Sequence, residues 1–316
     1  IVNTEQGLQA SGEISGDTDL KEQWHHVLLD TEVLWRNGYT GVNATVAVLS
    51  TGVNNHNEFQ RVIHNSTSAL GTEDMNGRGT YLASLIAGER NNSKEASGIA
   101  TGATIYNAKI SNGETTTTTD VLDALNAVSM YQATYAIDVV LLDFYTHIYD
   151  KNLEIKIEEL YQKGVAVFCP AGDAGGNGTW YPAAYKHAYG VTAINPNKSR
   201  MQIANYGKNV RYAAPGGDYD PVLNYSGMNK CGTAHAAALV TGQAAVLLSN
   251  GKVTGTGAER VDNLIALMDK NCVALSGSGM GKGMVNLPKA CNIVTTDGTP
   301  KKPVFDLKAG TYNSNT

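Results

Sequence analysis

The chain contains no run of eighteen apolar residues, so nothing in it reads as a membrane span. It also lacks an excess of positive charge. A formal net charge of −5 and a sequence pI near 5.8 provide no basic field for nucleic acid and argue against polyanion partners. The sequence starts at Ile1 and shows no charged-then-apolar segment, as expected of a mature form whose leader and pro-segment have been removed. Cysteine is scarce, but its four copies, Cys169, Cys231, Cys272 and Cys291, form an even set that suits an oxidising compartment. The seven histidines include the His25-His26 pair and His235, none with metal-site spacing, and a structural role is expected for them. What remains is ample: 316 residues at 42% hydrophobic content can bury one large α/β core without a second domain.

Residues 1–22 are polar and Gly-rich and read as an N-terminal extension; 23–292 read as one domain; 293–316, with Pro300 and Pro303, read as a tail. Within the domain, Val46–Leu49 is an apolar run ending at a Gly turn, as expected of a strand buried on both faces of a parallel sheet. Thr80–Ala87 has helical spacing, Ile105–Ile110 reads as a strand, and Asp120–Ala133 reads as a helix with Asp120 capping its own start. The Thr115–Thr119 run reads as a solvated connector. Asp138–Leu142 and Val165–Phe168 are further β runs, separated by the helical stretch Leu153–Gln162. This alternation predicts a three-layer α/β fold, a mostly parallel sheet with helices on both faces, and places a ligand site at the carboxyl ends of the strands. Ser50, Asp143 and Asp173 fall at such ends. Six Asn-x-Ser/Thr sequons begin at Asn43, Asn65, Asn91, Asn177, Asn197 and Asn224, and they carry meaning only in a eukaryotic secretory route. Cys272 and Cys291 flank a Gly-rich hairpin, a short separation that suits a local bridge worth about 3 kcal/mol of loop entropy.

Three blocks stand in order along the chain: Thr45-Val46-Ala47-Val48-Leu49-Ser50-Thr51-Gly52-Val53, Asn76-Gly77-Arg78-Gly79-Thr80-Tyr81-Leu82-Ala83, and Cys231-Gly232-Thr233-Ala234-His235-Ala236. They resemble the Asp, His and Ser signature blocks of the subtilisin-like serine proteases, which follow that same chain order. Shorter stretches strengthen the resemblance: Gly98-Ile99-Ala100-Thr101-Gly102-Ala103, Tyr181-Pro182-Ala183, Ala214-Pro215-Gly216 and Gly281-Lys282-Gly283-Met284-Val285-Asn286. The resemblance implies a subtilisin-like fold.

It also implies which positions would carry chemistry, and each is altered. Ser50 stands for the family's aspartate, Arg78 for its histidine and Ala234 for its serine. A methyl group cannot attack a carbonyl, a guanidinium stays protonated near neutral pH, and a hydroxyl supplies no fixed charge to orient a base. Asp173 stands for the oxyanion asparagine, where an ionised carboxylate would repel developing negative charge. Asp143, Phe144 and Tyr145 stand for the strand that pairs with substrate, and Tyr145 puts a ring where glycine would admit a peptide. So many altered positions point to natural divergence, not to a single inactivating substitution. In the same fold Cys169 and Cys231 lie on segments converging on the cleft, as a second bridge or as buried thiols. Arg78 is expected either to cross the space above Ala234 and pair with Asp173 or to turn to water with it.

The resulting expectation is a secreted pseudoprotease that binds a protein partner, self-assembles or regulates an active relative. It would have no cofactor, and structural calcium cannot be assigned to any ligand set. The alternative is a residual or re-sited serine-type peptidase or esterase activity, in which Ser50, Thr233 or another hydroxyl meets a histidine.

Overall fold

The computed structural model describes residues 23–55, 59–65, 67–90, 97–113, 115–178, 180–216 and 231–293. The N-terminal extension, nearly all of the tail, and the sequons at Asn91 and Asn224 lie outside the described residues.

Seven strands follow in chain order: β1 (Thr45–Leu49), β2 (Arg61–His64), β3 (Thr104–Asn107), β4 (Ile137–Leu142), β5 (Ala166–Pro170), β6 (Ala188–Ile194) and β7 (Val210–Pro215). They form one sheet in the order β2-β3-β1-β4-β5-β6-β7, and every pairing in it is parallel. The alternation of side chains along β1 explains its double burial. Val46 and Val48 enter one core and Ala47 and Leu49 the other, so neither face meets water. β4 divides its residues in the same way, with Val139 and Leu141 on one side and Val140 and Leu142 on the other.

Helices cover both faces. Near the N-terminus lie α1 (Trp24–Leu29) and α2 (Thr31–Arg36), followed by α3 (Arg78–Ala87), α4 (Thr118–Tyr135), α5 (Lys151–Gln162), α6 (Thr233–Ser249), α7 (Gly257–Lys270) and α8 (Leu287–Ala290). The core on the α4 and α5 side takes Leu125, Val128, Ile157 and Leu160, whereas α3, α6 and α7 share the other core. α6 is buried all round. Its alanines let it lie close across β4 to β7, and Gly242 is required there, because a Cβ would stand 2.9 Å from that of Ile99.

Several sequence expectations shift. α4 begins at Thr118, inside the Thr run, and its cap is Thr117: the Thr117 hydroxyl accepts from the Asp120 amide at 3.1 Å and donates to the Asp120 carboxylate at 2.6 Å. Thr117 is therefore the cap, and Asp120 holds its hydroxyl and does not cap itself. Residues 143–145 are not a strand, since β4 ends at Leu142. Neither disulfide is formed: Cys169–Cys231 and Cys272–Cys291 are not bridged. Cys169 sits buried in β5 while Cys231 is exposed at the entry to α6, and Cys272 instead turns its thiol to the Met268 carbonyl at 3.3 Å, in the last turn of α7. The sequon residue Asn65 is buried, its side-chain oxygen holding the Thr67 amide at 3.1 Å, which leaves no room for a glycan; Asn43, Asn177 and Asn197 are exposed.

Candidate functional site

The carboxyl ends of β1, β4 and β5 converge, as the parallel topology dictates. Asp143 donates its amide to the Leu49 carbonyl at 3.0 Å, so the residues just past β1 and β4 meet. α3 starts directly above them. It can approach because Gly79 has no Cβ; one built there would fall 2.0 Å from the Gly52 carbonyl oxygen. Asp74 fixes this entry. Its buried carboxylate accepts from the Thr51 hydroxyl (2.8 Å), the amides of Asn76 (3.2 Å) and Gly77 (2.8 Å), and both the amide (2.8 Å) and hydroxyl (2.6 Å) of Thr80. Sequence reasoning did not single out Asp74. Its signal was an acid shortly before a Gly-rich helix entry, where orphan amides need an acceptor.

From that start Arg78 reaches Asp143 with both arms of its guanidinium, Nε to Oδ2 at 2.6 Å and a terminal nitrogen to Oδ1 at 2.7 Å. Ser50 donates its hydroxyl to the same Oδ2 at 2.6 Å. Thus two of the three positions singled out from the sequence blocks close on one carboxylate. The Asp143 side chain is 3% exposed and that of Arg78 34%. Burial alone would raise the Asp143 pKa, but the Arg78 charge and the hydrogen bonds from Arg78 and Ser50 outweigh it and hold it below the usual range. In turn the Asp143 charge drives the Arg78 pKa further up, against its own desolvation.

Asp173 takes a different partner. It accepts the Thr233 amide at 2.8 Å, an orphan donor at the start of α6. The expected Arg78–Asp173 pair is therefore replaced by Arg78–Asp143, because the neighbouring strand end offers a carboxylate that is not already tied to a helix. Burial raises the Asp173 pKa, opposed by the Thr233 hydrogen bonds and the Arg78 charge. Asn205 holds the loop around it, donating to the Ala171 carbonyl (3.2 Å) and accepting the amides of Ala174 (3.1 Å) and Gly176 (3.0 Å). Ala234, one residue into α6, is buried.

The remaining singled-out residues line the flank or lie apart. Phe144 packs against the α4 and α5 core. Tyr145 is 36% exposed, and its ring lies 5.3 Å from that of Trp180, which also meets His147 at 3.6 Å. Trp180 in turn covers Gly172, whose Cβ would fall 3.4 Å from the indole. Aromatic rings therefore occupy the gap between the end of β4 and the loop after β5. His235 is buried and stacked on Tyr81 at 5.1 Å. His25 and His26 are buried far from this site; the His26 ring nitrogens meet the Ser97 carbonyl and the Thr31 hydroxyl, both at 2.8 Å.

Chemically, the arrangement offers a carboxylate held by three hydrogen bonds and a cation locked onto it. Arg78 cannot accept a proton, and Asp143, its pKa held low, is a weak base. Among the described residues no group of three His, Cys, Asp or Glu side chains is placed to hold a metal ion, and no helix is long and apolar enough to cross a membrane.

Comparison with known proteins agrees with this fold. A family model described as the subtilase family matches residues 41–265. Thermitase of Thermoactinomyces vulgaris is 29% identical over 261 residues, covering 79% of this chain and 89% of thermitase. Subtilisin DY of Bacillus licheniformis is 26% identical over 275 residues, covering 83% and 96%. Among solved structures, a protease from Pseudoalteromonas arctica superimposes with a TM-score of 0.73 at 19% identity, covering 88% of this chain and 99% of that one.

Proposed function

The chain belongs to the subtilase family, and from that membership we propose that it is a catalytically silent, secreted member that works through binding or as a structural component. The observation that carries this reading is the Arg78–Asp143–Ser50 cluster. A serine hydrolase needs a hydroxyl, an imidazole to take its proton, and an anion to orient the imidazole. Here the position of the imidazole holds a permanent cation, and the buried anion is spent on that cation. Ala234 supplies no nucleophile, and Asp173 turns its carboxylate to a helix amide where the family reaction requires a donor. The aromatic contacts of Tyr145 and Trp180 add an obstacle to an incoming peptide strand. Secretion, with glycans at the exposed Asn43, Asn177 and Asn197, accords with the sequons. The scaffold between residues 23 and 292 would then present its surface, and the flanking segments would serve attachment to a protein partner or to further copies.

Incubation with a fluorophosphonate probe, read by intact mass, tests the reading. No adduct is expected over a time in which an active relative labels fully. Stoichiometric labelling would overturn the proposal in favour of a re-sited serine-type activity.

A further inference from the structure

On the sheet edge away from this cluster, a cavity of about 450 Å³ is lined by four cations, Lys186, Lys208, Arg211 and Lys282, and by the buried residues Tyr185 and Tyr189. No carboxylate lines it. That is unexpected in a chain with net charge −5. The lysines come from three separate loops and Arg211 from β7, all held in place by backbone hydrogen bonds. The Lys282 amide donates to the Arg211 carbonyl at 2.9 Å and the Ala213 amide to the Gly283 carbonyl at 2.9 Å, which pins the Gly-rich hairpin along β7. Gly281 makes that approach possible, since a Cβ there would fall 2.4 Å from the Arg211 oxygen. The Gly207 amide donates to the Gly279 carbonyl at 2.9 Å beside Lys208, and the Tyr185 amide to the Pro182 carbonyl at 2.8 Å beside Lys186.

The nearby acids are already engaged. Asp269 holds Arg211 and accepts the Tyr212 hydroxyl at 2.9 Å; Glu158 accepts from Gln162 at 2.8 Å and pairs with His187. Among the described residues, Lys186, Lys208 and Lys282 form no ion pair. Three exposed lysines thus line one concave space, where their summed positive potential favours an anion. A second cavity of about 410 Å³ adjoins it and shares Lys208, Val210 and Gly281.

We infer that this cavity binds a phosphate or sulfate monoester through its anionic head, held by Lys186, Lys208 and Lys282. The inference is independent of the peptidase question, since none of these residues belongs to the Arg78–Asp143 cluster. Calorimetric titration with phenyl phosphate and phenyl sulfate tests it. Saturable one-to-one binding is expected, weakened about tenfold by Lys208→Gln and by Lys282→Gln, as for loss of one charge-assisted contact each. Lys151→Gln, at the start of α5 and outside the cavity, is expected to leave it unchanged. The preferred ester identifies the head group. No saturable binding of either ester, or equal weakening by Lys151→Gln, would overturn the inference; circular dichroism of each variant verifies that it is folded.

Discussion

Replacing Arg78 by alanine leaves the Asp143 carboxylate, 3% exposed, with the Ser50 hydroxyl as its remaining side-chain donor in the cluster. Breaking one partner of a buried ion pair costs about 3–5 kcal/mol. The Arg78 side chain is 34% exposed, so water entering the vacated space screens part of the loss and lowers the expected cost to about 2–3 kcal/mol. The pH dependence identifies the cause. In the parent chain the folded Asp143 pKa lies below its unfolded value, so its contribution to stability is present above the unfolded pKa and is lost as pH falls through the folded one. In Arg78→Ala, burial becomes the leading influence and raises the folded pKa. The ionised carboxylate then weakens the fold at neutral pH, and protonation relieves it. Urea denaturation followed by circular dichroism should therefore show a large gap between parent and variant at pH 7.5 that narrows toward pH 4.5. In a double-mutant cycle Asp143→Asn should recover most of the loss, with a coupling of about 2 kcal/mol. A cost within about 0.5 kcal/mol of zero at pH 7.5, a gap unchanged by pH, or additive single effects would refute the reasoning.

Asp173→Asn keeps an acceptor for the Thr233 amide and removes a carboxyl whose pKa burial raises, so it should increase the urea midpoint at pH 7.5 and leave it unchanged at low pH, where the acid is already neutral. Asp173→Ala loses the acceptor as well and should cost about 1 kcal/mol at low pH, as capping losses do. Burial lowers the pKa of His25 well below its ordinary value and that of His26 to about 4, so both are neutral in the fold while the unfolded chain takes up protons below about pH 6.5. Stability should fall between pH 6.5 and 4, and His25→Phe, at a ring whose nitrogens have no hydrogen-bond partner among the described residues, should flatten that fall. Ala234→Ser alone should not restore hydrolysis, since Arg78 cannot remove the hydroxyl proton; an assay with a chromogenic peptide checks this.

Much of the fold was legible because parallel strands buried on both faces read as apolar runs. β1, β4 and β5 stood out in that way, and with them the placement of Ser50, Asp143 and Asp173 at strand ends. β2 was harder to read: it is an edge strand with the half-exposed sequence Arg61–His64. The partner of Arg78 was not legible either. Choosing between Asp143 and Asp173 requires knowing that β4 lies beside β1 and that the Asp173 carboxylate is already bound to the start of α6, and both facts are tertiary. Asp74 escaped notice for a related reason: it gathers donors from Thr51, the Gly77 turn and Thr80, which the fold brings around it. Cysteine number and the short Cys272–Cys291 separation also misled, since neither carries information on whether two side chains point toward each other.

The central claim is that the catalytic position of this subtilase scaffold is chemically empty. Its most direct test is the turnover of an unfolded protein substrate such as casein by the purified chain. No fragments above those of a substrate-only control are expected, at an enzyme concentration where an active relative completes digestion within minutes. Digestion by the purified chain that disappears when one hydroxyl, imidazole or carboxyl group is replaced would contradict the account.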